Sequence, residues 1–250
     1  MPQRQHHRGR HPEDGRLFAP QEIGKLRNAV HDLSFLQTRG YAETAALKLT
    51  GDHYQLDARQ RRAVLGASCS DSSLVSRGQR MVNHDSLRGE RLAVDGYNLL
   101  ISTESLLAGG IVLRGRDGCI RDLASVHGSY RKVDETAQAL QLIGDTMQSL
   151  GVEHVDWLLD APVSNSGRLR QMMMALAANQ GWPWEVHLAA NVDKSLAASH
   201  DVVVTSDGWI LDRAPRWARI TELMLERVST PITVIDLGNG GFPPGPVSRR

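Results

Sequence analysis

The sequence predicts an α/β protein: a mostly parallel sheet with helices on both faces, preceded by a small all-α module. Three observations predict it. From Arg91 onward, short apolar runs alternate with helical patterns, the spacing that builds βαβ units. Before residue 90, apolar residues recur at helical spacing instead. The chain has 250 residues, 41% of them hydrophobic, which suits folded domains rather than a disordered polymer.

Residues 1–16 read as a disordered basic tail, rich in His and Arg. No apolar core follows them, so they make no secretory signal. Residues 17–82 read as the helical module. Pro20 suits a first helical turn and Glu22 follows in it. Ile23, Leu26, Val30, Leu33 and Leu36 then recur on one face, and Gly40 stops the helix. A second helix runs through AETAALKL to Gly51. LDARQRRAVLGA makes a third, with Asp57 near its start. The Ser-rich SCSDSSLVSRGQ reads as a linker. Helix, glycine turn and helix also fit a DNA-reading helix-turn-helix. No recognition helix stands out, however, so a small bundle docking on its neighbour is the preferred reading.

Residues 90–240 form the α/β domain. Its expected strands are RLAVD, VDWLLD, WEVHLA, DVVVTSD and ITVIDL. Its expected helices are ETAQALQLIGDTMQSL, SGRLRQMMMALAANQ, VDKSLAASH and PRWARITELMLERV. IVLR and CIRD flank a turn at Gly115–Gly118 and read as an inserted hairpin. Residues 241–250 read as a flexible tail.

Bulk features narrow the function. No run approaches the roughly 18 to 20 apolar residues of a membrane helix. Cys69 and Cys119 match neither a metal spacing nor a disulfide framework, so a reducing cytoplasm is expected. Residues 1–90 carry 14 Lys and Arg against 10 Asp and Glu, and the remainder carries 15 against 18. A basic front and an acidic back are compatible with a polyanion grip before a metal site. No G-x-G-x-x-G follows a strand and no Walker A string is present, which disfavours a dinucleotide enzyme and a P-loop enzyme.

Acids end the strands. RLAVD ends at Asp95, VDWLLD at Asp160 and DVVVTSD at Asp207. Open parallel sheets build their sites beyond the carboxyl ends of strands, so these acids share one rim. Asp193, early in the helix after WEVHLA, joins them, and Asp122 follows the hairpin strand CIR. Clustered carboxylates repel and raise one another's pKa until a cation neutralises them. All-oxygen donors favour Mg²⁺ or Mn²⁺. Phosphodiester hydrolysis suits such a site. The bland alternative for each acid is a helix cap or turn former. It weighs most on Asp193 and Asp122, and least on Asp95 and Asp207.

Local strings add detail. VDGYNLL at the end of the first strand resembles the opening signature of the NYN branch of the PIN-like nucleases. VVVTSDGWIL is similar to that family's later strand with its Ser-Asp pair. LLDAPVSNSGR resembles the middle strand ending in Asp, and NVDKSLAASH stands where the family carries a helix-borne Asp. The resemblance covers nearly all of residues 91–237, in family order. It implies a PIN-like fold and metal ligands at Asp95, Asp193 and Asp207, with Asn98 and Asp160 shaping the site. The family's second acid is often an early-helix Glu. Asp122 is taken for it because RDLASVHGSYRK looks like a helix start; Glu104 and Glu135 stay open. The hairpin lies outside the minimal family pattern. With its front module, the chain resembles uncharacterised prokaryotic proteins that pair a small helical domain of unknown function with a PIN-like domain.

Substrate contacts are expected from Ser164 or Ser166 capping the helix after Asp160, from Arg168 behind them, and from Arg121. Tyr97 and Trp209 either stack on bases or, as the duller reading, bury against the sheet. The leading expectation is a metal-dependent endoribonuclease with RNA as partner. A non-catalytic PIN-like RNA-binding adaptor is the alternative. A phosphatase of the haloacid dehalogenase type is disfavoured because Tyr97 stands where its second Asp belongs. Assembly into a homo-oligomer is left open.

Overall fold

A computed structural model describes residues 7–124, 130–228 and 232–238. The expected tail at 241–250 and part of the stretch RDLASVHGSYRK lie outside the described residues. The chain divides into two compact units.

The first unit comprises residues 1–9, 80–110 and 124–232. Its sheet is parallel throughout, in the order β5-β4-β1-β6-β7. The strands are β1 (Arg91–Asp95), β4 (His154–Asp160), β5 (Trp184–Ala189), β6 (Val202–Val204) and β7 (Trp217–Ala218). They are flanked by α6 (Gly96–Leu107), α7 (Thr136–Leu150), α8 (Ser166–Gln180), α9 (Val192–Ala197), α10 (Gly208–Leu211) and α11 (Thr221–Leu225). The expected α/β architecture is therefore present. Leu92, Val94, Trp157, Ile143, Met173, Val186 and Val204 share one apolar core. The order reverses between β1 and β6: the chain passes from β1 to β4 and β5 on one side, then to β6 and β7 on the other. Gly96 leaves β1 under tight constraint. A Cβ there would lie 2.5 Å from Leu159 Cδ2 and 2.8 Å from the Leu158 carbonyl oxygen, so the strand-to-helix turn takes only glycine.

The helix expected over PRWARITELMLERV is replaced by β7 and the five-residue α11. Backbone pairing decides the difference. The Arg216 carbonyl accepts from the Val203 N–H at 3.0 Å and the Trp217 carbonyl from the Val82 N–H at 2.8 Å. Those bonds satisfy groups that an isolated helix would pair internally.

The second unit comprises residues 10–79, 111–123 and 233–250. Its helices are α1 (Asp14–Leu17), α2 (Pro20–Thr38), α3 (Glu43–His53), α4 (Ala58–Ala67) and α5 (Asp71–Arg80). Pro20 opens α2 as expected, and Asp57 with Gln60 forms a capping box at α4. The stretch read as a Ser-rich linker is helix α5: Ser70 accepts from the Ser73 N–H at 3.1 Å, so serine acts here as a start signal. This unit also holds a sheet of order β3-β2-β8, formed by β2 (Ile111–Arg114), β3 (Ile120–Asp122) and β8 (Thr233–Asp236). IVLR and CIRD make the expected antiparallel hairpin. The strand of ITVIDL runs parallel to β2 and is absent from the five-stranded sheet. Ile111, Leu113, Leu123, Ile235 and Leu237 share a core with Leu26, Val30, Leu33 and Val64. The basic tail is tied down within its described part. Arg8 meets buried Glu104 at 2.5 Å, and Asp14 accepts from Arg59 at 2.6 and 3.1 Å.

Candidate carboxylate site

Asp95 closes β1 and caps α6, with Oδ1 facing the Asn98 N–H at 3.4 Å. Its side chain sits where the sheet order reverses, the place where open α/β sheets gather ligands. Oδ2 accepts from the Thr205 hydroxyl at 2.8 Å, and Thr205 Oγ1 in turn accepts from the Asp207 N–H at 3.1 Å. One threonine thus bridges two acids. Asn98 completes the link: its Oδ1 accepts from the Ser206 N–H at 2.9 Å and the Ser206 hydroxyl at 3.0 Å. Asp207 caps α10, accepting from the Trp209 and Ile210 N–H groups at 2.8 and 3.0 Å.

Electrostatics joins these groups to two further acids. Burial pushes the Asp95 carboxyl up to about 7; bonds from Thr205 and the Asn98 N–H oppose this, and the charges of Asp207 and Asp193 add to it. Asp193, in the first turn of α9, is raised by burial and by Asp207 and Asp160. Asp160, at the end of β4, is raised by burial against backbone N–H bonds that include one from Val192. Tyr97 is pushed up to about 12 by burial and by the Asp160 charge. Its ring is buried, as the duller reading held, and its buried hydroxyl has no hydrogen-bond partner among the described residues.

Asp95, Asp160, Asp193, Asp207 and Asn98 are therefore brought to one rim. Among the described residues, no three of these carboxylates bring oxygens within 4.8 Å of one another. They are coupled by charge rather than by contact.

Other expected residues fall elsewhere. Asp122 and Arg121 lie on β3 in the second unit, not on the five-stranded sheet. Arg121 grips Asp117 with two bonds of 2.8 and 2.6 Å, and Arg77 meets the same carboxylate at 2.6 Å. Burial works against the Asp117 charge, yet the two arginines hold the group well below the usual carboxylate range. Arg121 is thus committed to an internal ion pair. Glu104 is spent on Arg8, Tyr130 and Thr136, and Glu135 accepts from His7 at 2.7 Å. Neither Ser164 nor Ser166 caps α8. The cap position is Asn165, held at φ 71° with no side-chain cap bond. Left-handed Asn is tolerated there because its short polar side chain lowers the steric cost. Arg168 is exposed in the first turn of α8. Trp209, expected to bury, is 42% exposed, with the Arg213 guanidinium 4.1 Å from its ring centroid.

Thr205 and Ser206 escaped the sequence reading as site residues. The only signal was their place between VVV and a capping Asp.

Residues 84–223 match the family described as domain of unknown function DUF5616. The chain belongs to the DUF5616 family. Residues 25–80 match a second description, protein of unknown function DUF434. The DUF5616 match spans β1 through α10 and so contains Asp95, Asn98, Asp160, Asp193 and Asp207. An uncharacterized protein of Methanocaldococcus jannaschii is 28% identical over 190 residues, 74% of this chain and 88% of that protein. No solved structure matches the chain. No helix among the described residues is long and apolar enough to cross a membrane.

Proposed function

We propose that the parallel-sheet unit is a metal-dependent endoribonuclease that hydrolyses RNA phosphodiester bonds at the carboxylate rim. One observation carries the reading. Four acids from separate stretches of chain converge where the strand order reverses, and burial keeps Asp95, Asp160 and Asp193 reluctant to ionise, with repulsion from neighbouring acids adding to it at Asp95 and Asp193. A donor set made only of carboxylates fits Mg²⁺ or Mn²⁺. Such a cation, when bound, activates water and neutralises charge on the phosphate and the leaving oxygen. Asp95 and Asp207 would supply the central oxygens, with Asp193 beside them. The Thr205 hydroxyl and the Asn98 amide hold the two strand ends at fixed separation. Asp160, whose charge is felt by Tyr97, would orient a water.

Substrate contacts follow the same rim. The exposed Trp209 ring, backed by Arg213, offers a stacking platform two residues from Asp207. Ser164 lies on the connection from β4 into α8 and Arg168 in the first turn of α8, just beyond the carboxyl end of β4. They and exposed Lys194 supply polar contacts for an RNA backbone.

The test is cleavage of single-stranded and hairpin RNA with Mn²⁺, comparing wild type with Asp95→Asn/Asp207→Asn. The double variant is expected to lose cleavage while keeping its circular-dichroism spectrum. Wild-type-level cleavage by that variant ends the idea. A specific observation favours a second reading, a non-catalytic RNA-binding adaptor: no three rim acids reach mutual contact distance. Calorimetry separates the two, since an adaptor binds RNA without taking up Mn²⁺.

A further inference from the structure

A second cluster of metal-ligating side chains lies on the same sheet, away from the strand ends. β4 alternates inward and outward: Val155, Trp157 and Leu159 are buried, while His154, Asp156, Leu158 and Asp160 are only partly covered. Strands inside a parallel sheet usually bury both faces and carry apolar residues on each. Here the second face carries imidazoles and carboxylates. Asp156 stands opposite Glu185 in the β4–β5 register, and His154 and His187 sit two residues from each on the same face.

The contacts are close. His154 Nε2 lies 3.3 Å from Asp156 Oδ1 and 4.0 Å from Glu185 Oε1. His187 Nε2 lies 3.0 Å from Asp156 Oδ1 and 3.6 Å from Glu185 Oε2. His154, Asp156 and Glu185 offer ligand atoms all within 4.8 Å of one another. Zinc–ligand distances of about 2.0–2.1 Å set the edges of a tetrahedron at about 3.3–3.4 Å. His154–Asp156, His187–Asp156 and His187–Glu185 lie within about 0.4 Å of that edge; His187 stands outside the mutually close group, and it and Glu185, both exposed, must swing to close the tetrahedron. The outer partner is also present. Arg91 Nη2 donates to Asp156 Oδ2 at 3.1 Å, which leaves Oδ1 as the oxygen facing both imidazoles. Ligand carboxylates are commonly fixed by such a second hydrogen bond.

We propose that His154, Asp156, Glu185 and His187 form a zinc site that clips the edge strand β5 to β4. Two imidazoles with two carboxylates select zinc over magnesium, because nitrogen donors suit a borderline cation. The site is independent of the nuclease reading and shares no residue with it. Among the described residues β5 is an edge strand, bonded on one side only. A cross-strand metal would hold its register without a further strand beside it.

The test titrates ZnCl₂ into the chelator-treated full chain by calorimetry, with MgCl₂ as comparison. Wild type is expected to take up one equivalent of zinc at this site with a rise in Tm. His154→Ala/His187→Ala is expected to weaken that uptake at least tenfold, and Asp95→Asn/Asp207→Asn to leave it unchanged. Glu185→Gln, at an exposed position, gives a second weakened variant that does not threaten the fold. Co²⁺ in place of zinc adds a tetrahedral visible spectrum that the histidine variant lacks. Zinc isotherms that coincide for wild type, the histidine variant and Glu185→Gln overturn the site, and so does a wild type that takes up no zinc. A loss of Mn²⁺-dependent RNA cleavage without loss of zinc uptake concerns the rim alone.

Discussion

At the scale of single residues, Asp95 is where burial and repulsion act together. Its carboxyl is raised to about 7, against an ordinary value of 3.8. The sign follows from linkage. Below the unfolded value both states hold the proton and the group costs nothing. As pH rises from about 4 to 7, the unfolded chain releases a proton that the folded chain keeps, so stability falls across that window. Above 7 the cost is fully present, at about 1.4 kcal/mol per pKa unit and so at most roughly 4 kcal/mol. Asp95→Asn is therefore expected to raise Tm relative to wild type at pH 8, with the gain shrinking to nothing by pH 4. Thermal denaturation at the two pH values checks it; an equal shift at both would mean that charge is not the cause. The placement of Asp95 and Asp207 on one rim was legible in the sequence because a strand-ending acid is a local pattern with a topological consequence, whereas Asn98 was named only through the resemblance of VDGYNLL. Thr205 was not legible. A hydroxyl that links the Asp95 carboxylate to the backbone N–H of Asp207 has no local signature. Arg121 misled for a related reason: an arginine aimed at phosphate and one sunk into Asp117 look identical in one dimension.

At the scale of elements, periodicity served well where an element buries one face and poorly where tertiary pairing outweighs local preference. Strands β1, β4 and β5 and helices α7 and α8 lie where the apolar pattern put them. Trp217, Ile220, Leu223 and Met224 fit a helical stripe, yet the chain spends Trp217 on an edge strand because β6 and Val82 offer backbone partners. Serines at 68–73 read as a linker although the same residue type caps helices. The junction of β1 and α6 is the element that most directly sets the rim. Gly96→Ala places a methyl 2.5 Å from Leu159 Cδ2 and 2.8 Å from the Leu158 carbonyl oxygen. The side chain can turn aside but the backbone oxygen cannot, so β1 and β4 must separate locally. Overpacking of this kind costs about 1–3 kcal/mol. Urea unfolding of Gly96→Ala is expected to show that loss through a lower midpoint at unchanged slope. An unchanged midpoint would show that the turn has more room than its contacts imply.

At the scale of the whole molecule, the sequence suggests two consecutive pieces, whereas the chain builds its second unit from three separated stretches. ITVIDL carries the same apolar texture as the strands of the parallel sheet, and only pairing with β2 reveals where it goes. Texture reports burial and leaves the partner unspecified. The consequence is testable by dissection. A fragment of residues 1–82 contains all five front helices yet lacks β2, β3 and β8. It therefore lacks Ile111, Leu113, Leu123, Ile235 and Leu237 from the core around Leu26 and Leu33. At about 1.5–3 kcal/mol for each buried aliphatic side chain, those five contribute roughly 8–15 kcal/mol. A domain's whole margin is about 5–15 kcal/mol. Their removal is thus comparable to the entire stability available, and the isolated fragment is expected to melt without a cooperative transition and to leave its amides unprotected in hydrogen exchange. Adding the hairpin and β8 through short linkers should restore a sigmoidal melt. A fragment that already melts cooperatively would mean that the helices close their own core, and that the three-stranded sheet is an accessory to a unit complete without it.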